Sequence, residues 1–106
     1  MRPERQEIWI ADLGIAAKER PVVIIVSNHD EQAPRDLVIY VPCTTQYRSS
    51  KYEVALPPDV GLKSESWANV QGIASIPSVR FVKRIGKLPD ETWGKLREAI
   101  RFALDL

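Results

Sequence analysis

The longest uninterrupted apolar stretches in this sequence are Val22-Val23-Ile24-Ile25-Val26 and Leu37-Val38-Ile39-Tyr40-Val41, five residues each. That limit removes most alternatives. A membrane-spanning helix needs about 20 apolar residues in a row, so none is expected. Five residues are also too few for a buried helix, whereas a strand covered on both faces reads as this kind of β-branched run. The polar segment from Ser27 to Asp36 between them reads as a loop.

Shorter patterns fill in the rest. Gln6 to Leu13 reads as a first strand, with Ile8, Ile10 and Leu13 apolar and Trp9 on the opposite side; Gly14 then opens a short connection through Ala16, Ala17, Lys18 and Glu19. Pro42 has no N–H for a ladder and is expected to end the third strand. Lys51 to Leu56 alternates as a fourth strand stopped by Pro57-Pro58. Trp67 to Ile76 reads as a fifth, interrupted at Gly72. Ser78 to Arg84 has the spacing of a helical turn, and Ile85 to Leu88 that of a short extended piece. From Asp90, read as an N-cap, Trp93, Leu96, Ile100, Ala103 and Leu104 recur at helical spacing and predict a helix of about 16 residues, roughly 24 Å long. The expected fold is mainly β with a C-terminal α-helix, a small twisted sheet or open barrel of five or more strands forming one domain over residues 1–106.

Composition narrows the function classes. Lys plus Arg number 15 and Asp plus Glu 14, a net charge of +1, which excludes a polycation that coats nucleic acid but not a local basic groove. One cysteine, Cys43, forms no internal disulfide, and a single histidine, His29, builds no zinc site with it; a reducing, cytoplasmic setting and no metal are expected. The charged N-terminus is not that of a secretory signal. No Gly-rich phosphate loop and no Ser-His-Asp set is present.

What remains is a pair of strand-end positions marked by prolines. Arg20 precedes Pro21 and is therefore extended where the first connection enters the second strand. Thr44 and Thr45 follow Pro42-Cys43. A guanidinium and a hydroxyl held together bind and polarise a phosphate. On pattern alone, a surface charge and a turn residue are the commoner reading of such a pair. Arg80, Lys83, Arg84 and Lys87 recur at helical spacing and read as a solvated face. His29 reads as surface, Cys43 as a small buried residue, and Trp9, Trp67 and Trp93 as core.

Several segments together carry a resemblance. Glu7-Ile8-Trp9-Ile10-Ala11-Asp12-Leu13, Arg20-Pro21-Val22-Val23-Ile24-Ile25-Val26-Ser27-Asn28, Val41-Pro42-Cys43-Thr44-Thr45-Gln46 and Val82 to Leu88 occur in the order of the MazF/PemK toxin ribonucleases, which the chain resembles from about residue 6 onward. The resemblance implies an SH3-like barrel of the CcdB/MazF type with a C-terminal helix, working as a homodimer. It implies metal-free cleavage of single-stranded RNA, no cofactor, and inhibition by a cognate antitoxin. The family's catalytic arginine falls on Arg20 and its catalytic threonine on Thr44. Lys18 and Glu19 before them, and Thr45 and Gln46 after, fall along the implied RNA path.

Two positions depart from the family pattern. The connection from Gly14 to Glu19 is short, with Glu19 its one acid, and Gln71-Gly72 stand where the family often has an acid followed by Gln. If residues 69 to 71 are extended, Asn69 and Gln71 share a face and form a pair of amides able to read unstacked bases. The rival expectations on the same fold are a non-catalytic, CcdB-like toxin that inhibits a protein, or a module that only binds RNA or protein. Retention of Arg20 and Thr44 favours cleavage.

Overall fold

The computed structural model describes residues 2–14 and 18–106. The predicted path through Ala16 and Ala17 lies outside them. Among the described residues there are seven strands: β1 (Glu7–Asp12), β2 (Glu19–Val26), β3 (Leu37–Thr44), β4 (Glu53–Ala55), β5 (Trp67–Asn69), β6 (Ala74–Pro77) and β7 (Phe81–Lys87), followed by helix α1 (Asp90–Leu104). All pairings are antiparallel in one sheet of order β4-β5-β3-β2-β1-β7, with β6 also on β3. β4 and β7 end that order without pairing to each other, so the sheet is not closed into a barrel.

The two apolar runs bury side chains on both faces, although Ile39 is left 37% exposed and Ile25, Val26 and Leu37 are only partly covered. Val23 and Val41 join Ile8, Val54, Ala68, Val70, Leu88 and Leu96 in the core beneath α1. Val22, Ile24, Val38 and Tyr40 point the other way, into a second cluster with Trp9, Ala11 and Phe81. Trp9 is thus inside this second core, its indole N–H donating to Glu7 Oε1 at 2.9 Å.

Pro42 does not end β3. β6 pairs with Leu37 to Tyr40 and β5 with Cys43 and Thr44, and Pro42 falls in the gap between these two pairings, where no ladder N–H is required. The fifth predicted strand is two strands separated by a 3-10 turn, Val70–Gly72. There Gly72 lies so close to Pro42 that a Cβ would stand 2.6 Å from its Cγ. The helical turn expected from Ser78 to Arg84 is limited to Ser78–Arg80, and Arg84 is in a strand with its guanidinium 2.8 Å from Glu7 Oε2. Gly86 belongs to that strand through its pairing with Ile8, and the Val60 backbone crosses so closely that a Cβ would stand 2.0 Å from its carbonyl oxygen.

Helix α1 has 15 residues, and Pro89 occupies the N-cap position predicted for Asp90. Asp90 is the first helical residue; its carboxylate accepts from Gln6 Nε2 at 2.8 Å and, with Glu91, complements the positive helix end. Leu96 and Ala99 are buried, with Trp93, Ile100 and Ala103 packed beside them. Leu104, predicted on the stripe, is 49% exposed. Eight residues beyond Leu96, it has rotated roughly 80° off that face.

Candidate active site

Arg20 enters the sheet opposite Ala11 of β1, while the β2–β3 register runs through Val22 and Pro42. Continued two residues, that register sets Arg20 beside Thr44. Both side chains leave the face that carries the Trp9 cluster, one step beyond its last buried members, so the rim of one core becomes the floor of a site. Arg20 and Thr44 line a cleft of about 420 Å³ together with Thr45, Gln46, Arg48 and Ser66. None of the residues lining it is acidic.

Thr44 Oγ1 accepts a hydrogen bond from the Gln46 backbone N–H at 3.1 Å. An oxygen that accepts in this way still has its own O–H to donate. Arg48 Nη2 donates to Gln46 Oε1 at 2.9 Å, bracing the amide against the guanidinium. The loop that carries both is anchored by Glu53 on β4. Its carboxylate accepts from the Arg48 and Ser50 backbone N–H groups and from Ser50 Oγ at 2.8 Å. Desolvation pushes the Glu53 carboxyl up, but the bonds from Ser50 and Arg48 together hold it below the ordinary carboxylate range. Two arginines and a hydroxyl lining one cleft, with no carboxylate among the lining residues, suit an oxyanion such as a phosphodiester.

The other anticipated residues divide. Thr45 and Gln46 lie in this cleft. Glu19 and Thr45 line an adjoining one of about 590 Å³ with Lys63 and Lys83. Lys18 is exposed at the base of the first connection, its N–H donating to the Gly14 carbonyl at 2.8 Å, and lines neither cleft. Asn69 and Gln71 line neither, and they do not share a strand face: β5 ends at Asn69, whose side-chain oxygen accepts from the Gln71 N–H and caps the 3-10 turn. Cys43 is buried and its thiol is pushed up to about 12 by desolvation, which leaves no thiolate to act as a nucleophile. His29 is in the polar loop, 3.3 Å from Asp36.

Arg48 and Ser66 were not anticipated. Arg48 carries a sequence signal, a cation within a short polar segment four residues after Thr44. Ser66 carries none, because only the pairing of β5 with β3 brings it to the cleft. Among the described residues no group of three His, Cys, Asp or Glu side chains is placed to hold a metal ion, and no helix is long and apolar enough to cross a membrane.

Residues 4–104 match the family of PemK-like, MazF-like toxins of type II toxin-antitoxin systems. The chain is 29% identical to the endoribonuclease MazF9 of Mycobacterium tuberculosis, over 96% of each protein. It is similar to the solved toxin MazF-mt6 of Mycobacterium tuberculosis, with a TM-score of 0.80 and 31% identity over 94% of this chain and 97% of that one. A mycobacterial endoribonuclease solved in complex with its cognate antitoxin gives a TM-score of 0.81 and 27% identity, covering 98% of this chain and 96% of that one. With an Arg–Thr cleft on a fold of this kind and the match spanning nearly its whole length, the chain belongs to the PemK-like, MazF-like toxins of type II toxin-antitoxin systems.

Proposed function

We propose that this toxin is a metal-independent endoribonuclease that cuts single-stranded RNA, with Arg20 and Thr44 as its catalytic residues. The observation that carries the reading is their meeting, from β2 and β3, in one cleft without acidic lining. In the reaction the ribose 2′-oxygen attacks the adjacent phosphorus while the bond from phosphorus to the 5′-oxygen breaks. The products are a 2′,3′-cyclic phosphate and a 5′-hydroxyl, the 2′-hydroxyl proton passing to water and the leaving 5′-oxygen taking a proton from water. Charge builds on the non-bridging oxygens as the phosphorane forms. Arg20 meets that charge with a fixed cation and Thr44 donates its O–H to one of the oxygens. Neither is a base near neutral pH, so both act on the developing charge and not on the 2′-hydroxyl proton. Thr45, Gln46 and Glu19 lie along the strand's path, with Lys18 at its entrance. Gln71, exposed beside Asn69, contacts a base further from the cut.

We further assign the toxin a homodimeric state, a cytoplasmic setting, and neutralisation by a cognate antitoxin whose segment reaches Arg20. The relative solved with its cognate antitoxin supports the pairing with an antitoxin. Val79, 88% exposed in the turn before the edge strand β7, and Val82, 54% exposed on it, support a subunit contact. The decisive test is incubation of the purified protein with mixed-sequence single-stranded RNA in EDTA. The expected result is 5′-hydroxyl ends from the unaltered chain and none from Arg20→Ala. Cleavage that vanishes with EDTA and returns with magnesium overturns the mechanism.

A further inference from the structure

Three aromatic pairs occur among the described residues, and they differ in geometry. Tyr40 and Phe81 meet edge-on at 75°, and Tyr52 is tilted 47° against Phe102. Tyr47 and Trp67 alone are parallel, with centroids 4.9 Å apart and planes within 10°. This is also the pair beside the candidate site. Trp67 stands directly opposite Thr44 in the β3–β5 register, so the two side chains leave the sheet on the same face as neighbours. Tyr47 lies between Gln46 and Arg48, which both line the Arg20–Thr44 cleft.

Trp67 is half-buried, whereas Tyr47 is 53% exposed. One face of the Tyr47 ring is stacked on the indole, and about half of the residue stays accessible. A parallel stack that ends in an open ring is extended most readily by another planar ring. Cations that hold a backbone phosphate, next to a ring that holds a base, form the pairing by which proteins grip single-stranded nucleic acid.

We propose that Tyr47, backed by Trp67, is a stacking platform for a nucleobase next to the phosphodiester held between Arg20 and Thr44. This rests on reading that cleft as the phosphate site. Stacking tolerates any base, so the platform supplies affinity and register along the strand, while sequence is read elsewhere. Tyr47 is therefore a binding residue that positions the strand over Arg20 and Thr44.

The probe is a short mixed-sequence 2′-O-methyl RNA, whose blocked 2′-oxygen prevents cleavage and isolates binding. Because Trp67 is half-buried and its replacement threatens folding, the variants are made at exposed Tyr47. Tyr47→Ala is expected to weaken binding by about tenfold or more, the usual loss of one base stack, with only a small fall in melting temperature from losing its stack on Trp67. Tyr47→Phe, which keeps the ring, is expected to bind like the unaltered chain. An abasic nucleotide at the platform is expected to weaken the unaltered chain and leave Tyr47→Ala unaffected. Equal affinity of Tyr47→Ala and the unaltered chain overturns the proposal, as does a Tyr47→Phe as weak as Tyr47→Ala. If Tyr47→Ala loses only antitoxin affinity, the platform serves a protein and the proposal fails. Tyr47-dependent binding in a chain that cuts no RNA sinks the ribonuclease reading and leaves the platform standing. Cutting by Tyr47→Ala with unchanged kcat and KM sinks the platform alone.

Discussion

On the helix-covered side of the sheet, Ile8, Val23, Val41, Val54, Ala68 and Leu96 come from six elements and close one core, none of them more than 8% exposed. At the rim of the opposite face, Arg20, Thr44, Gln46 and Arg48 come from two strands and one loop and stay exposed or half-buried. The core is redundant: many apolar contacts share the stabilisation, and each replacement removes a part of it. The rim is not redundant. Arg20 and Thr44 occupy their places because of strand register, and Gln46 and Arg48 because Glu53 anchors their loop, so each position depends on a few specific contacts. Mutations on the two sides should therefore separate stability from activity.

The largest effect is expected at the rim. Arg20→Ala should lower the cleavage rate by about a hundred- to a thousandfold, the usual loss for one donor to transition-state charge. Because Arg20 is exposed, its melting temperature should barely move. Thr44→Val keeps the shape and should cost a similar factor. Single-turnover kinetics beside thermal melts would check both, and a variant that cuts at the unaltered rate has been given the wrong role.

The reverse separation is expected beneath α1. Leu96→Ala empties a fully buried position and should cost about 2–5 kcal/mol of stability in urea titrations. The activity of the molecules that remain folded should be unchanged. A fall in their activity would mean that the core transmits strain to the rim, and the contrast between the two sides would blur.

The same contrast explains what was legible in the sequence. The two five-residue runs and the stripe at Trp93, Leu96, Ile100 and Ala103 are periodic, and a repeated signal survives local errors. The breaks were less legible because each depends on a partner distant in the chain. Pro42 continues a strand because β5 and β6 share its edge, and Gly86 stays in β7 through its pairing with Ile8. Arg20 and Thr44 were paired only through a resemblance to a family, since periodicity gave no reason to join them, and what the structure adds is that both line one cleft. Ser66 and the Tyr47–Trp67 stack were not, since both depend on β5 lying against β3.

A smaller effect should connect the loop to its anchor. The Glu53 carboxyl is held below its ordinary value, so what it contributes is fully present above the unfolded-state pKa and is lost as pH falls through the lowered folded-state value. Below the ordinary carboxylate range the segment bearing Gln46 and Arg48 should loosen, while the apolar core, which carries no titrating group at Leu96 or Val23, should not. RNA affinity measured down an acid series is expected to fall in the unaltered chain. In Glu53→Gln it should already be reduced at neutral pH and should respond less to acid. Parallel acid profiles for the two proteins would show that Glu53 does not anchor the loop.

The smallest effect on rate is expected at Gln71, the position at which the family resemblance leads one to expect an acid. An amide presents both a donor and an acceptor to a base edge, whereas a carboxylate only accepts. Gln71 is exposed on the 3-10 turn, outside both clefts, and its backbone rather than its side chain is engaged by Asn69. A group in that position is poorly placed to take a proton from the attacking 2′-hydroxyl, for which a base must come within hydrogen-bond reach. Gln71→Glu should therefore shift the order of preference among single-stranded RNA sequences and leave the best rate nearly unchanged. A library of short RNAs cut by both proteins would decide it. A rate gain approaching a hundredfold, the usual worth of a general base, with the order of preference intact would move Gln71 from recognition to the chemistry and extend the rim by one turn.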